Sequence, residues 1–78
     1  MHVVIKGCKS ISEYKEKKSR LSEQAELAYK SHKEKFENWN NGVPVKVWED
    51  SEQNLCIEYE SGKWWHYKNV GMSNFKWW

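Results

Sequence analysis

Proline is nearly absent from this chain, at one residue in 78, and cysteine is scarce, at two. Aliphatic bulk is thin as well. Leu, Ile, Val and Phe together fill 14 positions, about 18% of the chain and just under the share at which a sequence starts to look disordered. No apolar run approaches the ~20 residues that a membrane-spanning helix needs. The start, Met1-His2-Val3-Val4-Ile5-Lys6, has too short an apolar stretch for a secretory signal. Cys8 and Cys56 are too few for a secreted disulfide scaffold. These absences point to a cytoplasmic protein with free thiols and no membrane segment, a Cys8–Cys56 bridge being the less expected alternative. Residues 1–78 form one domain, close to the lower size at which a single core holds together.

A large excess of one charge is also missing. Thirteen basic and 11 acidic residues leave a net charge of +2, so the high-charge half of the disorder signature does not apply. What the chain has instead is aromatic: six Trp and four Tyr. Its charges are segregated. Glu49, Asp50, Glu52, Glu58 and Glu60 lie in a stretch without a base, and Lys63, Lys68 and Lys76 lie beyond it in a stretch without an acid.

Ser10-Ile11-Ser12-Glu13 matches a capping box, with Ser10 accepting from the first turn and Glu13 reaching back to the Ser10 amide. Ile11, Tyr14, Leu21, Ala25, Ala28, His32, Phe36 and Trp39 then recur at helical spacing, and Asn40-Asn41-Gly42 with Pro44 ends the run. The spacing predicts one amphipathic helix over 11–39, about 43 Å long. A seven-residue strand covers only ~23 Å, so the N-terminal half of the helix is expected to overhang its sheet. Val3 to Lys6 reads as a short strand. After Pro44 the period changes to two, and three strands follow as an antiparallel meander. The expected fold class is α+β, one long helix packed on that meander plus the short N-terminal strand.

Ser61-Gly62 as a two-residue turn would pair Glu60 with Lys63, Glu58 with Trp65 and Cys56 with Tyr67. The core face would then hold Val43, Val45, Val47, Leu55, Ile57, Tyr59, Trp64 and His66. The opposite face would show Lys46, Trp48, Cys56, Glu58, Glu60, Lys63, Trp65 and Tyr67. Phe75 to Trp78 is one candidate to cover that second face; a second copy or a ligand are the others.

Three outward aromatics exceed what scattered surface apolar residues explain. Trp48, Trp65 and Tyr67 are the expected anchors, Lys46 and Lys63 the orienting charges, and Glu58 and Glu60 the selective ones. Such a face suits a non-enzymatic binding or inhibitor protein that engages a protein partner or holds a nucleotide-like ligand. Single-stranded nucleic acid also fits, although Glu58 and Glu60 would repel phosphates. In size and composition the chain resembles small binding proteins of phages and other mobile elements, with no motif behind the likeness. The alternative is a small ribonuclease or toxin-like domain using His66, and a second is a homodimer through helix 11–39. His2, Cys8, His32, Cys56 and His66 lack the paired spacing of a zinc site. The expected register also puts Cys56 and His66 on opposite faces, so neither metal nor cofactor is expected.

Overall fold

The cap at Ser10 sets the first long element. In the computed structural model, which describes residues 1–78, Ser10 Oγ accepts a hydrogen bond from the Glu13 N–H at 3.2 Å. The Glu13 carboxylate accepts from the Lys9 N–H at 2.9 Å, one residue earlier than the expected Ser10 amide. Helix α1 runs from Ile11 to Glu34 and presents Leu21, Ala25, Ala28 and His32 to the core. Ile11 is 75% exposed and Tyr14 is also exposed, so the first turns carry little of the core. Farther along, Lys17 ties the helix to the sheet through Glu49 Oε1 at 3.3 Å and the Lys6 carbonyl at 3.2 Å.

The helix stops five residues short of the expected 39. Lys35 and Phe36 N–H groups donate to His32 and Lys33 carbonyls at 3.1 Å, a tighter final turn. The cause is packing. A continued helix would carry Trp39 about 10 Å past His32. Instead the chain folds back, so that the Phe36 and Trp39 rings lie 4.9 and 5.0 Å from His32. The Trp39 indole N–H then donates to the Gly42 carbonyl at 2.7 Å.

Five strands follow the order β1 (His2–Val3), β2 (Pro44–Glu49), β3 (Leu55–Tyr59), β4 (Trp64–Lys68) and β5 (Lys76–Trp77) across one sheet. β1 runs parallel to β2 and the other neighbours are antiparallel. One helix on a five-stranded mixed sheet is the expected α+β class, with one strand more than the meander and N-terminal strand provide. The extra strand is β5, formed by the C-terminal residues.

Two registers differ from expectation. The expected β2 register sets Val47 opposite Leu55 and Val45 opposite Ile57; instead β2 pairs Val47 with Ile57 and Glu49 with Leu55, with a bulge between Pro44 and Lys46. This is a shift of two residues, which preserves faces, so Val47 stays in the core and Lys46 and Trp48 stay opposite it. Val43 and Val45, expected inside, are exposed because one lies before the strand and the other within the bulge. β4 differs by one residue, which reverses its faces. Gly62, at φ +88°, closes a three-residue loop in which the Gly62 N–H donates to the Tyr59 carbonyl and Tyr59 N–H to the Lys63 carbonyl. Ile57 therefore faces Trp65, Leu55 faces Tyr67 and Cys56 faces His66.

The core is aromatic around one histidine. His32 is fully buried and its Nδ1 shares a 2.6 Å hydrogen bond with the Tyr67 hydroxyl, which shares another of 2.7 Å with Tyr59. Trp65 and Trp77 rings pack on His32 at 4.9 and 4.4 Å. Burial lowers the His32 pKa to about 4 and pushes the Tyr59 hydroxyl up to about 12; the Tyr67 hydroxyl rises for the same reason.

The unfolded chain, with an ordinary histidine near pH 6.5, binds the His32 proton more readily than the folded one. Stability is therefore complete above about pH 6.5 and falls as pH drops toward 4. His32 alone should remove about 2 kcal/mol between pH 7 and pH 5. Urea midpoints at those two pH values check this, and His32→Gln should flatten the difference. Gly42→Ala should destabilise more than Gly62→Ala. Both have positive φ, but a Cβ at 42 would meet Glu60 Oε1 at 2.5 Å and Glu60 Cβ at 2.8 Å, whereas the space at 62 is empty.

Candidate functional site

The sheet side away from α1 carries the side chains that the core does not use. Strand alternation places Lys46 and Trp48 there from β2, Cys56 and Glu58 from β3, Trp64, His66 and Lys68 from β4, and Lys76 from β5. Trp78 joins them just past β5: its N–H and carbonyl exchange hydrogen bonds with His66 at 3.1 and 3.0 Å. The rings form a continuous row. Trp48 and Trp64 centroids are 5.3 Å apart, Trp64 and His66 5.0 Å, and His66 and Trp78 5.1 Å with planes within 8°. Trp64 and Trp78 are 49% and 51% exposed. From β2 to β5 the row crosses about 14 Å of sheet.

Of the expected site residues, Trp48, Lys46 and Glu58 lie on this face, with the Lys46 ammonium 5.3 Å from the Trp48 ring centroid. Trp65 and Tyr67 do not. The three-residue loop turns them inward, where Tyr67 is buried and Trp65 packs on His32. His66, expected in the core, faces outward for the same reason. Glu60 is engaged elsewhere: its Oε1 accepts from the Val43 N–H at 2.9 Å, bracing the chain before β2. Lys63 is exposed beside the loop, on the parity of Trp65 and away from the row. Trp64 was expected in the core, whereas Trp78 comes from the C-terminal stretch that was one candidate to cover this face. The signal that would have placed Trp64 is Gly62 as the third loop residue, since a left-handed third position is what a bulged three-residue hairpin requires.

Lysines sit at both ends of the row. Past β1, Val4, Lys6, Lys17, Lys46, Trp48 and Glu49 line a cleft of about 280 Å³. At the opposite end, Lys68 and Lys76 are cross-strand neighbours beside Trp78. The nearby acids are mostly engaged. Glu49 pairs with Lys17. Asp50 Oδ1 accepts from the Glu52 and Asn54 N–H groups, both at 2.9 Å, and Oδ2 from Asn54 Nδ2 and His66 Nδ1 at 3.3 and 3.0 Å. Burial would raise the Asp50 carboxyl, but these hydrogen bonds outweigh it and hold it below its ordinary value. Glu58 within the row and Glu52, which lines the far end beside Lys68, Lys76 and Trp78, form no salt bridge.

Beneath the rings, Cys56 Sγ lies 3.4 Å from His66 Nδ1. Cys56, His66 and Asp50 have the residue types of a nucleophile, a base and an orienting acid. Their geometry does not serve that chemistry. Sulfur and carboxylate both face the same ring nitrogen, whereas a relay uses one nitrogen for each. Burial first, then the Asp50 charge, pushes the thiol up to about 11, so it stays protonated near neutrality. Both cysteines are free. No helix is long and apolar enough to cross a membrane. No known protein family, curated protein or solved structure matches the chain.

The division between the two β4 faces is directly measurable. Tyr67→Phe removes a buried hydroxyl held by two partners and should cost about 1–3 kcal/mol. Trp65→Ala should cost about 3 kcal/mol or more. Trp64→Ala, half-exposed beside Trp65 in sequence, should cost no more than about 1 kcal/mol. Chemical denaturation of the three variants would reverse the order of Trp64 and Trp65 if β4 presented its other face to the helix.

Proposed function

We propose that this protein is a non-enzymatic binding module that stacks the bases of single-stranded nucleic acid on its open sheet face. The observation that carries this is the row of Trp48, Trp64, His66 and Trp78, left uncovered by the helix and flanked by lysines at both ends. Base–aromatic stacking contributes ~1–3 kcal/mol per base and tolerates any sequence. A backbone that follows the row would meet Lys6 and Lys46 at one end and Lys68 and Lys76 at the other.

The local charge balance supports a polyanion better than the net charge of +2 does. Glu60 is off the row, Glu49 is paired, and the charge of Asp50 is held by donors. Glu58 within the row and Glu52 at its far end remain as acids, and Glu58 can accept from the exocyclic amine of a base and impose a preference. A duplex is a poor fit, because a stacking row needs unpaired bases. His66 in this role is a spacer that holds Trp64 and Trp78 in the row, rather than a general base.

Titration with a short fluorescein-labelled single strand, as DNA and as RNA, should quench Trp fluorescence. Affinity should fall with salt at a log–log slope of about −3, from four lysine–phosphate contacts at ~0.7 each. Trp64→Ala combined with Trp78→Ala should weaken binding about tenfold or more, at nearly unchanged melting temperature. An absence of binding at low salt, or equal affinity in the double variant, would overturn the proposal and leave the face to a protein partner. Cleavage of the RNA that disappears in His66→Gln would also overturn it, in favour of a nuclease.

A further inference from the structure

The same one-residue register that turns His66 outward brings together three side chains far apart in sequence. Asp50 follows the last residue of β2, Cys56 lies in β3 and His66 in β4. Their ligand atoms, Oδ2, Sγ and Nδ1, all lie within 4.8 Å of one another. Nδ1 is 3.0 Å from Oδ2 and 3.4 Å from Sγ. Donors on a tetrahedral zinc, at ~2.0–2.1 Å for nitrogen and oxygen and ~2.3 Å for sulfur, are separated by about 3.3–3.6 Å. The two spacings from Nδ1 lie within about 0.3 Å of such edges, and the sulfur and carboxylate oxygen are within 4.8 Å of each other.

We infer that Asp50, Cys56 and His66 form a three-ligand site for a zinc-like divalent transition metal, with a fourth position left to water or to a bound ligand. The donor set is a thiolate, an imidazole and one carboxylate oxygen, a mixture that selects zinc or cobalt over magnesium or calcium. The carboxylate is held in place from outside. Its other oxygen, Oδ1, is fixed by the Glu52 and Asn54 N–H groups, and Asn54 Nδ2 supports Oδ2. Such outer contacts orient metal ligands. The His66 ring is clamped between Trp64 and Trp78, so Nδ1 has a fixed aim.

Metal entry is open on one side. Cys56 is fully buried, but the His66 and Asp50 side chains remain 26% and 21% exposed. On binding, the thiol proton leaves to solvent, the His66 ring proton shifts from Nδ1 to Nε2 so that the imidazole stays neutral, and the metal sits between sulfur, nitrogen and oxygen. Without metal, the Nδ1–H donates to Asp50 and the thiol stays beneath the rings. The site shares His66 with the aromatic row, and its test needs no nucleic acid.

Cobalt(II) titrated into the full chain at neutral pH should bind at one equivalent. The bound form should show a thiolate-to-cobalt charge-transfer band in the near ultraviolet. Cys56→Ser should abolish the band while Cys8→Ser retains it, and His66→Gln should abolish tight binding with both thiols intact. Asn54→Ala, which removes a support and no ligand, should weaken the metal by roughly 10–100-fold. Zinc should raise the melting temperature of the parent chain but not of His66→Gln. Absence of the charge-transfer band at excess cobalt, or its loss in Cys8→Ser with persistence in Cys56→Ser, would overturn the site. The His66→Gln comparison decides the matter even if Cys56→Ser fails to fold.

Discussion

The buried bond between His32 and Tyr67 is the constraint on which the rest of this molecule rests. A chain with so few aliphatic residues fills its interior with rings, and rings that carry polar atoms need partners inside. His32 supplies one from the helix and Tyr59 and Tyr67 supply two from the sheet, joined at 2.6 and 2.7 Å. Phe36, Trp39, Trp65 and Trp77 enclose the histidine. His32 Nε2 has no hydrogen-bond partner, an asymmetry consistent with an interior that favours the neutral imidazole. The bond also fixes orientation. With Tyr67 held inward, strand alternation directs His66 to the other side.

The two aromatic clusters thus share one cause. The first four residues of β4, Trp64-Trp65-His66-Tyr67, are all aromatic, so hydrophobicity alone does not say which pair faces in. Trp65 and Tyr67 win because Tyr67 reaches His32 and Trp65 packs beside it. Trp64 and His66 are left to build the second cluster with Trp48 and Trp78. The outer row is what remains when the inner one is satisfied, and its exposure follows from the chain having a single helix to cover a two-sided sheet.

Much of the architecture was legible. The capping serine, the Leu21, Ala25, Ala28, His32 stripe and the alternation of Leu55, Ile57 and Tyr59 each state a period and a face. Trp48 and Lys46 were placed on the open side because aliphatic neighbours decide β2 and β3 without ambiguity. The β4 residues were not legible in that way. There a loop of two or three residues changes every assignment, and both lengths suit Ser61-Gly62. The C-terminal Trp77 and Trp78 were likewise unreadable, because a two-residue strand has no period of its own and exists only through its partner. The helix end misled for a related reason. Phe36 and Trp39 keep helical spacing, yet they reach His32 more closely by leaving the helix.

The sheet also ends in a particular manner. β1 and β5, its two borders, are each two residues long, and Lys76 stands beside Lys68 at one of them. Borders this short offer almost no free row of N–H and carbonyl groups, and lysine there discourages another strand from joining. Recruitment of an extended peptide by sheet extension is therefore disfavoured, as is stacking edge to edge into fibrils. The open face can be approached broadside, while the short borders oppose copies zipping together.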